Sequence, residues 1–288
     1  MANIYFAKVN INSDVYEIYK NKEKADIILK NLFNNIDQDK RIKIDKKTWI
    51  KFINIDKDYK NHQFVVGRLV KVFDADIGIY NELEDDVKPL SQKDLAKSVA
   101  FYFDLSTELV AFTTAQFLSR AKFIEYFSKL INSYEKDITF EVFLKKNINK
   151  LNEEIKQLEK VSEVEIVVIP PNGNDDEFKD LFAQNSEEVM ETKATKIKQS
   201  YSSSARGEGM NMESKFFQRI ILGISKGFGY INVTGKNKEG EKRIITSEEA
   251  APQKEYIPDY QKNSLPAIKE VGRASIVKIL INERVTKG

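Results

Sequence analysis

The 288-residue chain contains no cysteine, and only one histidine and one tryptophan. Without cysteine there is no disulfide framework, no thiolate nucleophile and no Cys-ligated zinc. The lone His62 precedes a strand pattern and has no partner at a catalytic spacing, so no transition-metal site and no metal ligands are expected. No apolar run approaches the ~20 residues that span a bilayer, so membrane insertion is not expected. The opening MANIYFAKVNINSD lacks a basic stretch followed by a longer apolar core. A secretory signal is therefore not expected, and a cytoplasmic location is. The one glycine-lysine run, GKNKEGEK, lacks the GK[ST] ending of a phosphate-binding loop and opens no helix pattern, and no cofactor is expected.

What is present is the composition of a folded protein. Hydrophobic residues make up 41% and charged residues 31%, enough apolar surface to build a core and too much for disorder. The length corresponds to roughly two domains. The net charge of +2 conceals an imbalance: Lys193 to Arg243 holds eleven basic and four acidic residues, a local charge of +7. An acidic counterpart, Asp74 to Glu108, includes Glu82, Glu84, Asp85 and Asp86. Charge runs of this kind are often no more than solvated faces. A basic segment in an otherwise acidic chain is also the footprint expected of a polyanion-binding surface.

Apolar periodicity divides the chain into a β-rich lobe, 1–115, and a mixed α/β lobe, 116–288. Asn3–Ile11, Thr48–Asp56 and Gln63–Phe73 are β-branched and aromatic, with turn formers at their ends. A helix is expected over Lys22–Asn35. Asn81–Gln92 reads as an acidic surface loop, with Pro89 ahead of a short helix. AFYFD and ELVAFT form two strands joined at Leu105–Thr107, and Ser119 caps a helix. Strand Ile138–Leu144, a helix through Ile148, Leu151, Ile155 and Leu158, and strand Val164–Ile169 follow, the last stopped by Pro170-Pro171. Ala194–Tyr201 alternates as a strand with a basic face, and a Ser/Gly loop follows it. Glu213–Ser225 is an amphipathic helix, and the segments around Lys238-Glu239-Gly240 form a β-hairpin. A terminal helix runs from Ser264. The expected fold class is α+β and two-lobed, ending in a helix–β-hairpin–helix.

The octet KGFGYINV, Lys226 to Val233, resembles the RNP1 segment of the RNA recognition motif. That motif needs a strand and a β–β loop before the octet and an aromatic strand upstream. Here an amphipathic helix precedes it, so Gly227 reads as a helix-terminating glycine and Phe228 and Tyr230 as packing residues. At ~100° per residue, Lys215, Arg219 and Lys226 fall on one stripe of that helix, and Lys236, Lys238, Lys242 and Arg243 extend the charge into the hairpin. With Lys193, Lys196, Lys198 and Arg206, these are the expected phosphate contacts.

No residues assemble into a nucleophile, base and electrophilic stabiliser, and no catalytic residue is assigned. Glu213-Ser-Lys215 and Glu154-Ile-Lys156 have the Glu-x-Lys spelling of metal-dependent nucleases, but on helices rather than on the strand that chemistry requires.

The order of elements from Ala100 onward, FYFDLSTELVAFT through ITFEVFL and VEIVVIPPN to SKFFQRIILGISKGFGYINVTGKNKEGEKRIITSEEAAP and a terminal helix, resembles the RexA-like phage-exclusion proteins. More loosely, it resembles uncharacterised anti-phage proteins such as the KwaB-like group. The resemblance covers the C-terminal two-thirds. It implies a homodimer that binds DNA without strong sequence preference and acts in phage defence or superinfection exclusion; the residues themselves do not distinguish DNA from RNA. No family catalytic residue has a counterpart here. The alternatives are a module that binds a phage or host protein, motivated by the acidic loop and by Ile276, Val277, Ile279, Leu280 and Ile281 on the last helix, and a divergent Mg-dependent nuclease.

Overall fold

The computed structural model describes residues 1–13, 15–21, 23–60, 63–171, 175–182 and 186–285; His62 lies outside them. The fold is α+β, built on two antiparallel sheets and ending in a helix.

The larger sheet has eight strands, ordered β12 (Lys254–Ile257), β1 (Ala2–Ile11), β6 (Leu109–Phe112), β5 (Asp86–Asp104), β4 (Phe64–Asn81), β3 (Thr48–Asp58) and β2 (Arg41–Lys43), with β7 (Phe140–Leu144) also paired to β1. One edge of β1 is shared, with Ala2–Tyr5 pairing β12 and Ala7–Ile11 pairing β7; the other edge takes β6. Runs such as VAFYF are apolar at every position because both faces of this sheet are covered. Phe101 and Phe103 of β5 pack with Phe123 and Phe127 of α3 (Arg120–Tyr134) and with Leu32 of α2 (Glu23–Asn35). Ala100 and Tyr102 turn the other way, onto Ile268, Ile276 and Ile279 of α9 (Leu265–Val285). Ser119 caps α3 through the Lys122 N–H, as its sequence position predicts. A short helix, α1 (Val15–Lys20), links β1 to α2.

The smaller sheet is ordered β11 (Lys242–Thr246), β10 (Gly229–Lys236), β8 (Lys160–Val168) and β9 (Ile197–Ser202). Its inner face, Val164, Ile166, Ile231 and Val233, is buried under α4 (Ile148–Lys156) and α7 (Lys215–Ser225). Short helices α5 (Asp175–Phe182) and α6 (Ser186–Glu191) precede β9, and α8 (Ser247–Ala250) follows β11. Tyr16 and Tyr19 of α1 donate to the Ala194 and Pro171 carbonyls at 2.6 Å, and the buried Asn10 amide donates to the Gly227 carbonyl at 3.0 Å. Strand pairing also bridges the lobes expected from the sequence, because β7 and β12 join β1.

The acidic segment departs from its expected loop and helix. β4 and β5 continue to Asn81↔Asp86 as a two-stranded ribbon, and Pro89 lies within β5 opposite Gly78. The ribbon has only two strands, so Pro89 can sit where its missing N–H faces outward and breaks no ladder. The density of Asp and Glu hid a strand whose order comes from its cross-strand partner.

The octet occupies a helix end followed by a strand. Gly227 has φ +93°, and the Phe228 N–H closes the helix onto the Gly223 carbonyl at 3.2 Å. A side chain at Gly229 would lie 1.9 Å from the Val167 carbonyl oxygen. Phe228 is buried with Phe143 and Ile169.

Candidate nucleic-acid interface

The alternation of a strand sends every second residue of the small sheet outward. Across three strands this register places Lys242, Lys236 and Lys160 side by side, with Lys236 opposite both of the others. Adjacent strands lie about 4.8 Å apart, so three ammonium groups share one row, and like charges directly opposite are destabilising. Among the described residues no carboxylate pairs with any of the three; Lys160 donates to the Ala205 carbonyl at 2.9 Å. Lys238 is exposed in the turn beyond the row, where Gly240 has φ +79°. The next rows are Ile244–Thr234–Glu163–Ser202 and Thr246–Asn232–Glu165–Ser200. Lys198 follows at the far end, opposite Val167. The face is therefore basic at both ends and carries two glutamates between them, one of which, Glu165, accepts from the Asn232 amide at 3.3 Å.

The remaining expected contacts do not converge on this face. Lys215 and Arg219 are exposed on α7, which covers the opposite side of the sheet. Lys226 does not share their exposure: it is 8% exposed and paired with Glu177 at 2.7 Å. As the cap it keeps the helical conformation, with its N–H on the Leu222 carbonyl, but its end of the stripe is met by Glu177 of α5. Lys196 pairs with Glu141 at 2.9 Å. Lys193 is exposed in a turn at φ +55°, and Arg206 is exposed in the loop that accepts from Lys160. Arg243 is exposed too, but its register partner is Gly235, so it starts on the inner side of the sheet.

A second group of lysines escaped the sequence reading. Lys145 and Lys146 directly follow β7 and are 3% and 4% exposed. Lys145 contacts Glu283 at 2.5 Å, and Lys146 contacts Glu248 at 2.6 Å and the Gly229 carbonyl at 3.1 Å. Burial holds both ammonium groups below the ordinary lysine range, while Glu283 and Glu248 oppose that shift. Together with Lys226 they line a cleft of about 330 Å³ at the end of α9. Each of these lysines has its own carboxylate, so they join the two sheets and α9 as internal ion pairs. The adjacent pair at the end of an apolar strand was the available signal. Lys160 was missed because it lies far from the 193–243 segment in sequence.

Among the described residues no group of three or more carboxylates or histidines is placed to hold a metal ion. Glu154-Ile-Lys156 lies on α4, whereas Glu213 lies in the turn before α7, which begins only at Lys215; neither spelling is on a strand, and Lys156 and Glu213 form an exposed pair at 3.2 Å. No described helix is long and apolar enough to cross a membrane.

The model of a family described as a domain of unknown function (DUF4747) matches residues 2–273, and the chain belongs to that family. No curated protein matches the chain.

Proposed function

We propose that this DUF4747 member binds nucleic acid through the outer face of its small sheet, taking duplex DNA by its phosphates and reading little sequence. The observation that carries this reading is the row Lys160–Lys236–Lys242, which has no carboxylate partner among the described residues. Three like charges held in register cost stability, and a phosphate backbone relieves that cost while releasing counterions. Lys238, Lys198 and Arg206 extend the contact. The Ser, Thr and Asn side chains between them can donate to phosphate oxygens without distinguishing bases. The same reading places the protein in the cytoplasm, as a homodimer acting in phage defence or exclusion, as its resemblance to the RexA-like proteins in element order implies.

Binding of duplex DNA measured against salt tests the reading. Each phosphate contact contributes a slope of about −0.9 in log K against log salt, so K160A/K236A/K242A should flatten it by about 2 to 3. Substituting Lys215 and Arg219, on the other side of the sheet, should change it less. Absence of binding at low salt, or a slope that the triple variant leaves unchanged, rejects the interface.

A further inference from the structure

The β4–β5 ribbon leaves the sheet with none of the described residues packed over it. The pairing of β3 with β4 ends at Phe73, and that of β6 with β5 begins at Phe101. From Ala75↔Gln92 to Asn81↔Asp86 the two strands continue alone for roughly 20 Å. Every described residue from 76 to 94 except Asn81 is exposed. Apolar side chains emerge on both faces: Tyr80 beside Val87, with Pro89 next to them, on one, and Ile79 and Leu90 on the other. Leu83 at the tip is 98% exposed. An isolated two-stranded ribbon is marginal in water, and apolar residues on open strand edges invite a partner.

Charge selects that partner. Residues 74–94 carry seven carboxylates and two lysines, a net charge of −5. Two such ribbons laid together would repel, so ribbon-to-ribbon pairing is disfavoured. The complementary surface exists on the same chain. Among the described residues the lysine row of the small sheet has no carboxylate partner, and Ile244, in the adjoining row, is 64% exposed. Acid with apolar on one element thus faces base with apolar on another.

We propose that the ribbon of one copy docks on the outer face of the small sheet of a second copy. Glu82, Glu84 and Asp86 meet Lys160, Lys236 and Lys242, and the apolar tip lies against Ile244. Two such contacts, related by a twofold axis, close a homodimer. The dock uses the lysine row but does not depend on its binding nucleic acid. Where both hold, the ribbon competes with DNA for that row.

Sedimentation of the full chain without nucleic acid tests the docking, using E82K/E84K/D86K to reverse the ribbon and K236E/K242E to reverse the face. The wild type should dimerise. Each reversed chain alone should dissociate at least tenfold more readily, and an equimolar mixture of the two should recover a heterodimer, because each ribbon then meets a face of opposite charge. Far-UV dichroism on each variant separates lost docking from lost folding, and a misfolded variant is replaced by its Gln/Asn counterpart. A monomeric wild type, a dimer indifferent to either reversal, or a mixture that stays monomeric overturns the proposal. A dimer tightened by the ribbon reversal also overturns it, since that outcome identifies ribbon-to-ribbon contact. DNA titration of the ribbon-reversed chain, whose face is intact, is read separately: a wild type that dimerises, beside a ribbon-reversed chain that binds no DNA, rejects only the nucleic-acid reading.

Discussion

The lysines of the outer sheet row and those at the junction below α9 are the same chemical group in opposite circumstances. Lys236 and Lys242 stand in water with like charges as neighbours and no described carboxylate partner. Lys145, Lys146 and Lys226 lie between secondary structure elements, each paired with a glutamate from a different segment. Removing a buried ammonium from such a pair strips its partner of compensation, whereas removing one from the row relieves repulsion. Burial makes lysine charge a part of the fold, and exposure leaves it available to a ligand.

The largest break in that contrast is expected from Lys146→Ala. The side chain is inaccessible, and its loss also removes the hydrogen bond to the Gly229 carbonyl. A cost of about 3 kcal/mol in urea denaturation is expected, at the low end for a broken buried pair because Glu248 keeps some contact with water. A cost below about 1 kcal/mol would place Lys146 with the surface lysines.

The pH dependence of stability sharpens the comparison with a smaller effect. The folded-state pKa values of Lys145 and Lys146 lie below 10.5, so between those values and 10.5 the unfolded chain holds more protons and stability rises with pH. Tyr102 and Tyr134 act in the opposite sense. Desolvation, with help from Asp104 and Asp37 respectively, raises each phenol from 10.0 to about 12, so their contribution is complete below pH 10 and is lost as pH climbs towards 12. The urea midpoint of K145M/K146M, compared with wild type at alkaline pH below 10, should lack the lysine-driven rise. Y102F should soften the fall above pH 10, with tyrosinate absorbance as the check.

The smallest expected change is from Lys236→Ala. In the monomer, at concentrations too low for the ribbon to dock, stability should move by no more than about 0.5 kcal/mol, upwards at low salt, with the gain fading as salt screens the row. A clear loss of stability would show that Lys236 is held by an interaction of the folded chain rather than left free for a ligand.

Much of this was legible in the residues. AFYFD and ELVAFT read as strands and are found as the end of β5 and as β6, and Ser119 lay where its helix begins. The helix before KGFGYINV excluded an RNA recognition motif, and its terminating glycine has the left-handed φ that this role needs. Lys226 escaped because helical projection does not show which end of the stripe another helix covers, and here Glu177 of α5 meets it. The ribbon escaped because Asp and Glu are poor strand formers in isolation. The lysine row was invisible because Lys160 and Lys236 meet only through strand register.

The sequence by itself determined which segments bury apolar side chains and where the capped, amphipathic helices α3 and α7 lie, since those depend on periodicity and local hydrogen bonding within a few residues. Only the tertiary structure decided which lysines are buried partners of glutamate and which are left facing one another. That choice depends on the dielectric surroundings and on neighbours brought close by chain segments tens of residues apart.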